Sequence, residues 1–91
     1  MCQLEQNYPN PFNPATSIRF SIPEAGLVQL RIYDVAGRVV RMLMAGAQGA
    51  GRFQVAWDGT DEAGRRVASG VYFYRLEASG ATLTRKMLLL K

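Results

Sequence analysis

Histidine is absent from this 91-residue chain, and cysteine occurs only once, at Cys2. Without histidine, Ser-His and Cys-His nucleophilic catalysis and most zinc sites are excluded. Cys2 cannot form an internal disulfide, and no neighbouring residue in the sequence would activate its thiolate. The sequence therefore predicts a domain without enzyme activity and without a cofactor.

Long apolar runs are also missing. The run from Met87 to Leu90 is far too short to span a bilayer, and the N-terminal residues of the chain are not expected to act as a signal peptide. Met1 is expected to be the start of a fragment excised from a longer chain. The net charge is +4, but the basic residues are scattered singly, apart from Arg65-Arg66 and Arg85-Lys86. Proteins that bind nucleic acids usually cluster their basic residues on one face, so no nucleic-acid partner is predicted.

No segment has a helical period, and alternation of apolar and polar residues dominates instead. Six or seven short strands separated by frequent turns predict an all-β fold, an antiparallel β-sandwich with no helices. Asp34 to Gly37 is predicted to form a tight hairpin turn, and Ala45 to Gly51 a flexible loop. The predicted core includes Phe20, Leu30, Ile32, Trp57 and Tyr72.

Proline is scarce outside one segment. Gln6 to Pro14, called the lead-in below, holds three of the four prolines together with three asparagines. Proline excludes a helix or a central strand there, so we expect a stiff, extended segment. Tyr8 and Phe12 are its only large aromatic residues and are the predicted anchors to the domain. The predicted organisation is a linker end at residues 1–5, the packed lead-in at 6–14 and the sandwich at 15–91.

The acidic loop from Asp58 to Gly64 is the sharpest candidate for a metal site. Loop oxygen atoms can bind calcium, but the EF-hand spacing is absent, and acidic residues beside glycines favour turn formation. We predict a structural turn, with calcium near Asp58 and Asp61 as the open alternative. Tyr72, Phe73 and Tyr74 could form a carbohydrate platform, although a strand directs neighbours to opposite faces. A core role is favoured for this run, and Phe73 is the residue to test for binding.

Several segments together resemble the type A C-terminal sorting domains of the type IX (Por) secretion system. They are the lead-in followed by Thr16, the run Tyr33 to Arg38, Trp57-Asp58-Gly59 with Gly64, the run Ala68 to Tyr74, and the ending Thr84 to Leu90. The resemblance extends from about Leu4 to Lys91. The middle of the chain also resembles the immunoglobulin-like domain of flagellar hook-capping proteins.

The resemblance to sorting domains implies both a fold, a small immunoglobulin-like antiparallel β-sandwich of about seven strands, and a function. Such domains carry a passenger protein, often a hydrolase, across the outer membrane, and in many cases a sortase removes them and attaches the passenger to surface lipopolysaccharide. The implied partners are translocon and sortase proteins, and the implied location is the periplasm in transit and then the cell surface or exterior. The lead-in would mark the passenger boundary. A carbohydrate-binding or structural immunoglobulin-like module of an extracellular hydrolase is the alternative, and a monomer is expected.

The closing strand is the candidate recognition element. Its predicted partner-contact residues are Arg85, Lys86, Met87, Leu88 and Lys91. A terminal strand can be offered to the sheet edge or groove of a partner, and basic residues steer it toward an acidic surface. The residues alone fit a second role equally well. Arg85, Lys86 and Lys91 would then protect the apolar run from Met87 to Leu90 against aggregation. The resemblance favours recognition.

Overall fold

The computed structural model describes residues 1–90, which form a sandwich of two antiparallel β-sheets. The strands are β1 (Gln3–Leu4), β2 (Thr16–Ile22), β3 (Gly26–Tyr33), β4 (Val39–Gln48), β5 (Gly51–Trp57), β6 (Gly70–Ala78) and β7 (Ala81–Leu89). One sheet has the order β1-β2-β5 and the other β4-β3-β6-β7. No helix occurs in the described residues, so none there could cross a membrane. The predicted all-β immunoglobulin-like sandwich is confirmed.

Alternation of apolar and polar side chains fills the space between the sheets. Along β2 and β3 every second residue is buried, because successive side chains of a strand point to opposite faces. In β6 the buried set is Tyr72, Tyr74, Leu76 and Ala78. Trp57 lies within this core, with its ring centroid 5.4 Å from that of Tyr72. Phe20, Leu30 and Ile32 are buried there as well.

The hairpin between β3 and β4 has the turn that its sequence predicts. The amide of Gly37 donates to the carbonyl of Asp34 at 3.0 Å, and Gly37 has a φ of 82°. The carboxylate of Asp34 accepts from the amides of Ala36 and Arg38 at 2.9 and 3.0 Å. These bonds, led by the one from the Arg38 amide, lower the pKa of Asp34.

Two segments differ from their predictions. Ala45 to Gln48, predicted as part of a loop, continue β4 and pair with β3. The glycines of this segment favour a loop, but a strand tolerates glycine where its backbone groups form hydrogen bonds with the neighbouring strand. Gln3 and Leu4, predicted to lie in a linker end, form β1 against β2, and Leu4 is buried. A two-residue strand is too short to show alternation in a sequence.

Non-strand segments cover both edges of the four-stranded sheet. At the β4 edge, the amide of Met42 donates to the Glu62 carboxylate at 2.7 Å, and the amide of Glu62 donates to the Val40 carbonyl at 3.2 Å. At the β7 edge the cover is the lead-in. Covered edges protect a sheet from pairing with other chains.

Candidate functional site

The lead-in runs along the outer edge of β7. The amide of Phe12 donates to the carbonyl of Leu88, and the amide of Leu90 donates to the carbonyl of Phe12, both at 3.0 Å. These two bonds make a parallel bridge between Phe12 and Leu89. The segment before the sandwich and the strand that closes it are therefore joined by backbone bonds.

Two side chains extend this cover along β7. The side-chain amide of Gln6 donates to the carbonyl of Lys86 at 2.8 Å, and the Asn10 side-chain oxygen accepts from the amide of Leu88 at 3.0 Å. Outward-facing backbone groups between Lys86 and Leu90 are consequently in use. A partner strand could not pair with this part of β7 unless the lead-in moved away. The predicted offering of the strand to a partner's sheet edge is thus blocked here in the folded domain.

The two predicted aromatic anchors behave differently. Phe12 is only 2% exposed and packs against Trp57, with ring centroids 5.7 Å apart. Tyr8 is 81% exposed, so the prediction that its ring anchors the lead-in is wrong. The backbone of Tyr8 is held instead, by two hydrogen bonds of 2.9 Å with Ser17. Because the preceding Asn7 points into the domain, the extended backbone directs the Tyr8 ring to solvent.

Asn7 is the anchor that the sequence did not reveal. Its side chain is 2% exposed and donates to the Thr16 hydroxyl at 3.0 Å and to the Pro9 carbonyl at 3.2 Å. Its amide donates to the Tyr74 hydroxyl at 2.8 Å, and that hydroxyl donates to the Glu5 carbonyl at 2.6 Å. Burial raises the pKa of Tyr74, which keeps its hydroxyl available as a donor. An asparagine among prolines reads as a turn residue, so no signal identified this buried role.

Residues 57–59 lie against both the lead-in and the end of β7. The indole N–H of Trp57 donates to the Thr60 carbonyl at 2.9 Å. Gly59 has a φ of 78°, and a Cβ placed there would lie 3.0 Å from the Pro14 carbonyl oxygen and 3.8 Å from Leu89 Cδ2. Glycine is required by both the backbone conformation and the space. Three segments distant in sequence therefore meet in one place, called the closing corner below: the lead-in, residues 57–59 and the end of β7.

The predicted recognition residues do not form one surface. Lys86 is exposed and Leu88 is half-buried, so both side chains reach the surface. Met87 is 1% exposed and belongs to the core, so it is not available to a partner of the folded domain. Its inward direction follows from strand alternation, since Lys86 and Leu88 point outward.

The other two predicted recognition residues have separate outcomes. The Arg85 guanidinium Nε donates to the Leu4 carbonyl at 2.6 Å and so connects β7 with β1. Arg85 remains exposed while it makes this bond. Lys91 lies outside the described residues.

The acidic loop is occupied by its own turn contacts. Asp58 Oδ1 accepts from the amide and hydroxyl of Thr60, at 3.2 and 2.5 Å, and lies 3.6 Å from Arg41 Nη1. These partners, the Thr60 hydroxyl foremost, lower the pKa of Asp58. Asp61 accepts from the amide of Arg65 at 3.0 Å. Within residues 1–90, no three His, Cys, Asp or Glu side chains are grouped so that they could hold a metal ion.

Comparison with known proteins identifies the fold family. Residues 13–82 match the family described as the FlgD Ig-like domain. FlgD of Xanthomonas campestris, whose structure is described as giving insights into hook capping essential for flagellar assembly, is 28% identical with a TM-score of 0.64 over 96% of this chain. FlgD of P. aeruginosa is 27% identical with a TM-score of 0.59 over 81% of this chain. A comparison with curated proteins found no match.

Two Porphyromonas gingivalis proteins share the fold at lower identity. Dimeric latent PorU is 22% identical with a TM-score of 0.74 over 99% of this chain. PorZ, described as an essential bacterial surface component of the type IX secretion system, is 22% identical with a TM-score of 0.58 over 94% of this chain. This chain spans 9% of PorU, 11% of PorZ, and 59% and 65% of the two FlgD chains. On the match over residues 13–82, the chain belongs to the FlgD Ig-like domain family.

Proposed function

We propose that this chain is a non-catalytic, type A C-terminal sorting domain of the type IX secretion system. The closing corner carries the proposal. The family match covers residues 13–82, which leaves most of the lead-in and most of β7 outside it. These two outer segments bond to one another in the structure, and both resemble sorting domains in sequence. What supports the proposal is that two segments with sequence resemblance to sorting domains contact one another directly.

The fold comparisons support this proposal without fixing the function. PorZ is itself described as a surface component of the type IX system, and PorU shares the fold over 99% of this chain. Under the proposal, the domain is recognised in the periplasm by translocon proteins and then presented to a sortase. The passenger precedes the lead-in and ends at the cell surface or in the medium. The passenger, not this domain, would supply any enzyme activity and any contact with lipopolysaccharide.

The structure limits how a partner could recognise β7. The lead-in bonds with the backbone of Lys86, Leu88 and Leu90. A partner that meets the folded domain therefore has side chains to contact there rather than a free strand edge. Lys86 is the exposed basic side chain on this stretch, so we assign it the main recognition role, with Arg85 adding charge.

Export of a reporter tests the proposed function. The reporter carries its own signal for the inner membrane and this chain at its C-terminus, and it is expressed in hosts with and without the type IX machinery. Appearance of the reporter outside the outer membrane only when the machinery is present supports the proposal. Retention in the periplasm of both hosts, with the domain shown to be folded, would reject it.

The role of the closing strand needs a point substitution rather than a truncation. Deletion of residues 86–91 should retain the reporter in the periplasm, but it also removes the buried Met87 and Leu89 and so destabilises the sandwich. Lys86→Glu reverses one exposed charge instead, and Arg66→Glu makes the same change in an exposed loop. We expect reduced export for the first variant and ordinary export for the second. Equal export of both variants would show that the secretion machinery does not recognise Lys86.

The family match itself favours a second candidate, a structural Ig-like module within a larger extracellular or flagellar assembly. This candidate predicts that the chain is internal to a longer protein and exports no reporter. The sequence of the parent gene distinguishes the two functions, since the sorting role requires Lys91 to be the natural C-terminus.

A further inference from the structure

The outer face of the four-stranded sheet carries an ordered set of aromatic and basic side chains. Tyr33 of β3 pairs with Phe73 of β6, and Arg31 pairs with Arg75. Their neighbours along each strand, such as Ile32 and Tyr74, are buried, so these four side chains project from the opposite face. This set is called the outer platform below.

Two guanidinium groups converge on one phenol within the outer platform. The Arg75 guanidinium lies over the Tyr33 ring, with Cζ 4.5 Å from the ring centroid, and Arg75 Nη2 also donates to the Tyr33 hydroxyl. Arg31 Nη1 donates to the same hydroxyl and to the Glu77 carboxylate, both at 3.4 Å. Arg75 Nε is buried and has no hydrogen-bond partner among the described residues. The Tyr33 hydroxyl thus holds two guanidinium groups in a fixed arrangement on this face.

Positive charges outnumber negative charges on this face. Lys86 stands opposite Phe73 on β7 and projects from the same face as Arg31 and Arg75, whereas Glu77 is the single carboxylate bonded within this group. The Tyr33 hydroxyl and the Glu77 charge also raise the pKa of Arg31, so this guanidinium stays charged. A positively charged face with rigid guanidinium groups is complementary to carboxylates.

Apolar side chains border the basic groups. Val39 of β4 pairs with Tyr33 and is 53% exposed, and Leu88 of β7 is half-buried opposite Val71. Basic and apolar groups side by side match a segment that carries both acidic and apolar residues.

We propose that the outer platform is a docking site for an acidic, extended segment of a partner protein. Carboxylates of that segment bond to Arg31, Arg75 and Lys86, and its apolar side chains pack on Val39 at one border and on Phe73 and Leu88 at the other. A carbohydrate ligand is less suited, because the Arg75 guanidinium already covers one face of the Tyr33 ring and removes it from sugar stacking. This inference shares Lys86 with the recognition role assigned under the proposed function, but its test uses the isolated chain and measures binding rather than export.

Titration of the isotope-labelled chain with deca-glutamate tests the docking site by NMR. Saturable shifts of the backbone amides of β3 and β6 around Arg31 and Arg75, weakened by added salt and absent with deca-glutamine, support it. Shifts centred on the Arg65-Arg66 loop, or no saturable shifts, would overturn it. Retention of the chain on insoluble polysaccharide that Phe73→Ala abolishes, without saturable deca-glutamate binding, would also overturn it in favour of a carbohydrate site.

Substitutions then identify which basic residues are required for binding of deca-glutamate. Arg75→Gln and Lys86→Glu should each weaken deca-glutamate binding about tenfold, the effect of losing roughly 1.4 kcal/mol. Lys86 is exposed, so its variant reports on binding even if Arg75→Gln fails to fold. The matched controls lie in the exposed loop, Arg66→Gln for the first variant and Arg66→Glu for the second, and each should bind as the unmodified chain does. Equal loss in the controls would show that only net charge matters and would overturn the site.

Discussion

Truncation of Phe12 tests whether the lead-in is part of the folded domain. The Phe12 ring is 2% exposed and packs against Trp57, so Phe12→Ala removes a full aromatic side chain from the core. Loss of a buried phenylalanine typically costs about 3–5 kcal/mol. A chain of this length has a free energy of unfolding of roughly 5–14 kcal/mol. The substitution should therefore remove a large part of the domain's stability.

Denaturant unfolding followed by the fluorescence of Trp57, the single tryptophan, measures this cost. Tyr8→Ala is the matched control, because it truncates an aromatic residue of the same segment whose ring is exposed. We expect the control to change the free energy of unfolding by no more than about 0.5 kcal/mol. A cost below about 1 kcal/mol for Phe12→Ala, or equal costs for both variants, would refute the packing of the lead-in on the core.

Three further predictions concern the same contacts and the hairpin. Asn7→Ala should cost about 1–3 kcal/mol in denaturant unfolding, because it leaves buried polar partners unsatisfied, and an unchanged midpoint would count against its anchoring role. Gly64→Ala should lower the free energy of unfolding by about 1–2 kcal/mol, because of its positive φ alone. Gly59→Ala should lower it further, because the added Cβ also approaches the Pro14 carbonyl. Equal losses for the two variants would contradict this close approach. The pKa of Asp34 is lowered in the folded state, so its stabilising effect is present above the unfolded value of 3.8 and disappears as the pH falls through the lower folded value. Acid titration of stability should therefore be shallower for Asp34→Asn, and a slope identical to that of the unmodified chain would contradict this assignment.

Local patterns in the sequence were sufficient to predict the sandwich. Alternation placed Phe20, Leu30 and Ile32 on the inner face, and the Asp-to-Gly turn set the hairpin between β3 and β4. Both features depend on residues close together in the chain. The length of β4 was underestimated because Gly46 and Gly49 are ordinary loop signals, and only pairing with β3 reveals the strand up to Gln48.

The closing corner could not be predicted in the same way. Tyr8 and Phe12 are both aromatic residues next to prolines, and their different burial depends on Trp57, which is distant in sequence. Asn7 becomes buried because Thr16 and Tyr74 supply hydrogen-bond partners. No local pattern encodes such long-range partners. The resemblance to sorting domains indicated that these segments matter, and the structure shows that they contact one another.

The relation of the lead-in to β7 also bears on aggregation. Met87 and Leu89 are buried, so the apolar run at the end of the chain is largely part of the core. The lead-in covers the strand edge beside it, which lowers the need for basic residues to protect that run. This arrangement leaves Lys86 free for recognition, as the proposed function requires.

Hydrogen exchange of individual backbone amides tests most directly whether the lead-in closes the edge of β7. The amides of Phe12 and Leu90 donate across this contact, whereas that of Thr84 points, by strand alternation, to the same edge but donates to no backbone carbonyl of the lead-in. The structure predicts slow exchange at Phe12 and Leu90 and fast exchange at Thr84. Exchange at Phe12 and Leu90 as fast as at Thr84 would contradict a lead-in that is built into the domain.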